Sequence, residues 1–343
     1  MSILSRRVRS ALAALLLLTL TLVGVALFAA WYWVHKPLTL TGDAVELSID
    51  PGTSPRDIAQ AWVGAGVQTS PWLLYEWFRW SGEARRIRAG SYELTAGTTP
   101  RQLLDKLVRG DETLAIVRLI EGWTFRQFRA ELAKAEGLKP TTAGMSDAEL
   151  MAALGQPGLL PEGRFYPDTY AYSKGSTDLS VLRRAHRAMQ QRLDAAWAER
   201  TADTPLRNAD EALILASIVE KETGLASDRG KVAGVFVNRL RLSMPLQTDP
   251  TVIYGLGTAF DGNLRKRDLQ TDGPFNTYLR AGLPPTPISM PGRASLLAAV
   301  RPEWTKALYF VARGDGSSEF SEDLASHNRA VALYQRVKPA VPN

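Results

Sequence analysis

The chain of 343 residues contains no cysteine, which excludes disulfides and thiolate metal sites. That composition is compatible with an oxidising compartment but does not establish one. It has only three histidines, His35, His186 and His327, scattered and outside any HExxH pattern, so a zinc hydrolase is not expected. Phosphate-binding loops are missing too. In Gly224 to Lys231 the glycine spacing is one residue too long, and Val232 stands where a magnesium-binding Ser or Thr is required. Gly255-Leu-Gly257 lacks the third glycine of a dinucleotide fingerprint. No metal and no cofactor is therefore expected. The hydrophobic share of 45% excludes long disorder.

What is present starts with charge and a membrane signal. The net charge of +6 permits nucleic acid, anionic lipid or an acidic polymer as partner. Arg6, Arg7 and Arg9 precede an uncharged apolar run from Ala11 to Val34. At about 1.5 Å per residue that run crosses a hydrocarbon core of roughly 30 Å. A cleaved signal peptide has a shorter apolar region and a small-x-small end. Here the run ends in Trp31-Tyr-Trp33, residues of a membrane-interface belt, which favours an uncleaved anchor. The arginines then stay in the cytoplasm and everything after His35 faces outward, which argues against nucleic acid as the target. The reading divides the chain into a cytoplasmic tail (1–10), a single transmembrane helix (11–34), a subdomain (40–115) and a mixed α+β domain (116–343).

A weak repeat follows the anchor. Val45–Ile58, Tyr92–Leu103 and Val117–Phe128 each alternate like a strand, turn at a glycine, offer Ser or Thr as a cap, and become helical. Their unequal spacing argues against a solenoid. The first of them, with the helices to Trp80, resembles a LysM-like βααβ module, and it is either a glycan-binding unit or a packing unit without ligand. Further on, a helix is expected from about Leu179 to Arg200 with a solvated basic face. Strands are expected at Val252–Tyr254 and Ala307–Val311, and a closing helix from about Glu322 to Val337.

The most informative stretch is Leu213 to Gly257. From Ala212 to Val219 every residue but Ser217 is apolar, leaving no helical face for water. Asn208 followed by Glu211 starts this helix like a capping box, and Gly224 is a natural stop. Glu220 is thereby held in the last turn of a buried helix. Apolar surroundings raise a carboxyl pKa, which suits a general acid. The alternatives are a solvated Glu220, or one simply paired with Lys221 or Arg229. Glu222 is the competing acid, on another face of the helix. A Ser217–Lys221 hydrolase is the rival chemistry, but a serine inside an apolar run reads as a packed or back-bonded hydroxyl.

Several strings are long and unusual. They are ASIVEKET (216–223), VFVNRL (235–240), LQTDPTVIYG (246–255), NTY (276–278), GLPP (282–285), EGRFYPDT (162–169) and LASHN (324–328). In order and length the chain resembles the YceG-like family, the endolytic murein transglycosylases, over nearly its whole length. It departs from that pattern at Arg164, where an aromatic residue is expected, and at Ser318-Glu-Phe320. The resemblance implies a catalytic domain acting on peptidoglycan at the outer face of the cytoplasmic (inner) membrane, with Glu220 as the catalytic acid. It further implies cleavage between N-acetylmuramic acid and N-acetylglucosamine within strands, leaving 1,6-anhydro ends without consuming water. Peptidoglycan synthases are implied partners. Gln247, Thr248, Asp249, Asn276 and Tyr278 are candidate sugar contacts; bonding within their own loops is the alternative for each. A binding scaffold that positions synthases without cutting is the second functional class.

Overall fold

In the computed structural model the described residues are 6–42, 44–222 and 225–335. The Arg6, Arg7 and Arg9 side chains, the Gly224 stop and Val337 lie outside the description. The chain folds as two compact units, Met1–Ala115 with Ser173–Gly175, and Ile116–Tyr172 with Ser176–Asn343.

The first unit runs α1 (Arg6–His35), β1 (Thr39–Leu40), β2 (Ala44–Ile49), α2 (Pro55–Ala65), β3 (Val67–Gln68), α3 (Pro71–Trp80), β4 (Gly90–Thr95) and α4 (Pro100–Arg109). By length and composition α1 can cross a membrane, and its leucines from Leu12 to Leu27 are exposed. Its end reaches the core of the unit, where Trp33 packs against it and Val34 is buried. β2 pairs antiparallel with β4, with α2 and α3 between them in the chain, so the connectivity is β-α-α-β. Trp62, Leu74, Phe78, Tyr92 and Leu103 are fully buried in the core of this unit. The helix starts follow the caps in the sequence. Ser54 accepts from Asp57 N at 3.2 Å, and Thr99 makes a full capping box with Gln102.

The chain continues with β5 (Leu114–Arg118), α5 (Phe125–Lys134), α6 (Asp147–Ala153), β6 (Thr169–Ser173), α7 (Asp178–Ala198), α8 (Ala209–Glu222), α9 (Ala226–Arg241), α10 (Asp249–Leu256), α11 (Lys266–Gln270), α12 (Arg293–Val300), β7 (Tyr309–Ala312), β8 (Ser318–Ser321) and α13 (Leu324–Tyr334). The fold is mixed α+β, with β5 paired to β6 and β7 paired antiparallel to β8. The core is built around α8, which packs on α9 and α12. Every residue of α8 from Ala212 to Val219 is buried, as the apolar run requires. The start of α8 is half of the expected box. Glu211 N donates to Asn208 Oδ1 at 2.9 Å, but the Glu211 carboxylate accepts from Arg207 N at 2.7 Å.

The expected strand at Val252–Tyr254 is instead part of α10. Its β-branched residues read as a strand, but Pro250 stands in the first turn of a helix, where its missing N–H costs nothing. Tyr254 then packs edge-on against Phe275, with ring centroids 4.9 Å apart. On α7 the basic face is partly structural, since Arg192 lies over the Tyr166 ring at 3.8 Å and Arg184 donates to Ala171 O at 2.6 Å. Arg164, the departure from the family pattern, pairs with Asp210 at 3.0 Å.

One buried carboxylate fixes the entry to α5. Glu162, 8% exposed, accepts from Phe125 N at 3.0 and 3.2 Å, and from the Tyr254 hydroxyl at 3.1 Å. Burial pushes its pKa up to about 7, against the opposing pull of these hydrogen bonds.

Candidate active site

Glu220 ends the buried stretch of α8 and is itself only partly buried. The residues below it, Ala212 to Val219, are all buried. Ser217 is fully buried, donates to Ile214 O at 2.7 Å and accepts from Ile288 N at 3.0 Å. Ser289 in turn donates to Ser217 O at 3.1 Å. The hydroxyl is thus a clamp between α8 and the 288–292 segment, not an exposed nucleophile, which removes the Ser217–Lys221 chemistry.

The clamped segment delivers a donor to the acid. Gly292, the N-cap of α12, donates its N–H to Glu220 Oε2 at 2.9 Å. That bond leaves Oε1 as the oxygen able to carry a transferable proton. A second loop closes on the same point. Gly122 N donates to Met290 O at 2.9 Å, Met290 N to Trp123 O at 2.8 Å, and Lys221 Nζ to Gly122 O at 3.3 Å. Gly122 turns at φ +76°, the left-handed region that favours glycine, and Thr124 then caps α5.

This loop brings Glu121 to the site. A Cβ on Gly292 would overlap the Glu121 carboxylate. Partial loss of hydration raises the Glu121 pKa. The Glu220 charge raises it further, and the Arg229 charge opposes both. The Arg229 Nε is buried without a hydrogen-bond partner among the described residues.

Glu222 points elsewhere, as its position on the helix predicts. Its carboxylate accepts from the Thr248 hydroxyl. Burial raises its pKa to about 6, opposed by the Thr248 bond; the Asp249 charge adds to the rise and Arg239 opposes it.

The YceG-like family model matches residues 47–333. The chain belongs to the YceG-like family. The endolytic murein transglycosylase of Bacillus subtilis (strain 168) is 31% identical over 310 residues, covering 84% of this chain and 84% of that one. The protein of the same name from Streptococcus pneumoniae serotype 2 is 25% identical over 327 residues, and this chain spans 59% of its length. A crystal structure of a YceG-like protein from Listeria monocytogenes matches with a TM-score of 0.53 at 28% identity, covering 84% of this chain and 98% of that one.

In this YceG-like chain the five candidate sugar contacts lie on the Glu222 side of α8 and differ in availability. Thr248 is 1% exposed, with its hydroxyl spent on Glu222. Asn276 is 4% exposed, and its amide donates to Leu269 O at 3.1 Å and Thr271 O at 2.7 Å while its Oδ1 accepts from Tyr278 N at 3.0 Å. Both side chains are engaged within the protein and hold the loop. Gln247 and Asp249 are exposed, and Tyr278 donates its hydroxyl to Asp249 Oδ1 at 2.6 Å. Gln247 has φ 49° and sits beside buried Arg239, which donates to Leu246 O at 2.9 Å and Leu308 O at 2.7 Å.

Sequence reasoning missed Glu121, Glu162 and Arg239. Glu121 stands in a turn that reads only as strand end, glycine and cap, so nothing local marks it. Arg239 carried a weak signal, being a lone charge in the apolar helix stretch Val232–Leu240.

Proposed function

We propose that this chain is a membrane-anchored endolytic peptidoglycan lytic transglycosylase that limits or terminates the elongation of nascent strands. The observation that carries the reading is Glu220, fixed at the end of a rigid buried helix by the Gly292 N–H, with one carboxyl oxygen left to work. Glu220 protonates the glycosidic oxygen between N-acetylmuramic acid and N-acetylglucosamine as the bond to C1 breaks. The carboxylate then takes the proton of the muramic C6 hydroxyl as that oxygen bonds to C1, giving the 1,6-anhydro end without water. Exposed Gln247 and Asp249, with Tyr278, are the groups available to hold sugar; Thr248 and Asn276 shape their loop.

In the same reading α1 is an uncleaved single-pass anchor in the inner membrane, with the N-terminus cytoplasmic and the catalytic domain periplasmic. The β2-α2-α3-β4 unit is a LysM-like module for glycan, and peptidoglycan synthases are the partners. Resemblance to the two endolytic murein transglycosylases named above supports the substrate class.

The test is digestion of purified peptidoglycan, with fragments analysed by mass spectrometry. Anhydromuramic ends, lighter by one water than hydrolysis products, are expected. Glu220→Gln keeps size and packing but cannot donate the proton, so cleavage falls by about 10²–10⁴-fold, and Glu222→Gln costs less. Reducing ends that incorporate oxygen from labelled water would instead make the enzyme a muramidase. Absence of any cleavage by folded protein would favour the scaffold class.

A further inference from the structure

We propose that the first unit rests on the membrane surface through the exposed face of α3, with Trp72, Leu73 and Trp80 in the headgroup layer. The inference rests on the reading of α1 as a membrane anchor and goes beyond it, because an anchor by itself brings no other face of the unit to lipid.

The anchor enters the unit without a linker. Val34 and Leu38 are both buried, Lys36 N donates to Trp33 O at 3.3 Å, and Leu38 N donates to Thr98 O at 2.9 Å. The unit therefore begins where the apolar helix ends, and its side nearest α1 lies at the lipid surface.

Two connections bring α3 to that side. β1, which leaves α1, pairs antiparallel with β3, Thr39 opposite Gln68. β3 therefore runs back toward α1 and delivers the first turn of α3 there. Further along α3, Trp77 Nε1 donates to Pro100 O at 3.1 Å, and the next residue, Arg101, donates from Nη1 to His35 Nε2 at 3.4 Å. The far end of the unit lies elsewhere. β2 and β4 pair from Ala44 and Thr95, close in the chain to Thr98, up to Ile49 and Gly90. At about 3.4 Å per residue that is roughly 17 Å further on.

The exposed face of α3 suits an interface better than water. Among the described residues of the unit outside α1, the exposed large apolar side chains are Trp72, Leu73 and Trp80, with Leu114. Trp72 is 64% exposed and Trp80 78%. At 3.6 residues per turn, Trp72, Leu73, Glu76, Arg79 and Trp80 fall within about 120° of rotation. Buried Leu74 and Phe78 lie opposite. The acid on this face is already engaged. Glu76 accepts from Trp80 Nε1 at 2.9 Å and pairs with Arg79 at 2.7 Å. Arg79 also lies over the Trp80 ring at 5.3 Å, and exposed Arg85 follows. Tryptophan with arginine beside it is the chemistry of the membrane interface, where an apolar ring and a polar edge each find a partner. Trp31 and Tyr32 near the end of α1 are exposed in the same way. Such rings also stack on sugars; their place beside the anchor favours lipid.

The test uses the full chain in vesicles of phosphatidylethanolamine and phosphatidylglycerol. The chain has no cysteine, so one introduced thiol can carry an environment-sensitive fluorophore. Leu73→Cys labels the proposed face, Asp50→Cys the far end, and Leu20→Cys the middle of α1. The Leu73 label is expected to emit at shorter wavelength and to lose emission when nitroxide-headgroup lipid is included, while the Asp50 label does neither. Replacing Trp72 and Trp80 with Ser in the Leu73→Cys chain alters only exposed side chains, which the fold tolerates, and should return the label to water-like emission. A Leu73 label that emits as in water, or one unmoved by loss of the two tryptophans, refutes the docking. So does a shift that appears only when purified glycan strands are added, which would make the face a sugar platform. If the Leu20 label reports the bilayer interior while the Leu73 label stays in water, the anchor stands and the docking falls. If the Leu20 label also stays in water, the anchor reading has failed and the docking falls with it.

Discussion

Replacing Glu162 with Gln should make the protein more stable, and only above mildly acidic pH. The Glu162 carboxyl goes from its ordinary value of 4.5 in the unfolded chain to about 7 in the fold, because burial opposes its charge more than Phe125 N–H and the Tyr254 hydroxyl favour it. Between those two values the folded chain holds a proton that the unfolded chain has released. Stability from this group is therefore full below 4.5 and is lost as pH rises through about 7. At about 1.4 kcal/mol per pKa unit the loss is at most roughly 3 kcal/mol. Glutamine keeps a carbonyl for Phe125 N–H and an amide to donate to the Tyr254 oxygen, and carries no charge at any pH. Thermal melts of wild type and Glu162→Gln should coincide near pH 4.5. They should separate by up to about 6–12 °C in favour of the variant at pH 8, at roughly 2–4 °C per kcal/mol for a unit of this size. A difference that is constant with pH, or that favours wild type more at pH 8 than at pH 4.5, would refute the assignment of a buried, proton-holding carboxyl at the entry to α5.

Two further outcomes are expected. Asn276→Ala strips three backbone carbonyls and Tyr278 N of a buried partner, so it should cost about 1–3 kcal/mol in denaturant unfolding and lower cleavage through the loop that carries Tyr278. If α1 is a retained anchor, reporter fusions after Lys36 should be active only outside the cytoplasm, and a mature chain beginning after Trp33 would overturn that reading.

Local chemistry was legible in the sequence. Three strand–turn–helix units appear where the alternation, glycine and Ser or Thr caps place them, because these signals act over a few residues. The burial of α8 followed from a run with no polar face, and the divergence of Glu220 from Glu222 followed from two residues of helical rotation. The short Val252–Tyr254 run was misread because three residues cannot distinguish the two periods, and Pro250 decided it.

What the tertiary structure alone decided is which distant segments meet. Glu121, Glu220 and Gly292 are far apart in the chain and carry no mark of one another. They converge because Ser217 clamps α8 to the 288–292 segment, which in turn pairs its backbone with the loop after β5. Likewise the sequence named Thr248 and Asn276 as polar loop residues, and only burial showed their hydrogen bonds already spent inside the protein. Periodicity and capping are set by neighbours along the chain. The convergence of distant segments and the satisfaction of buried polar groups are set by neighbours in space, and packing of the core fixes those.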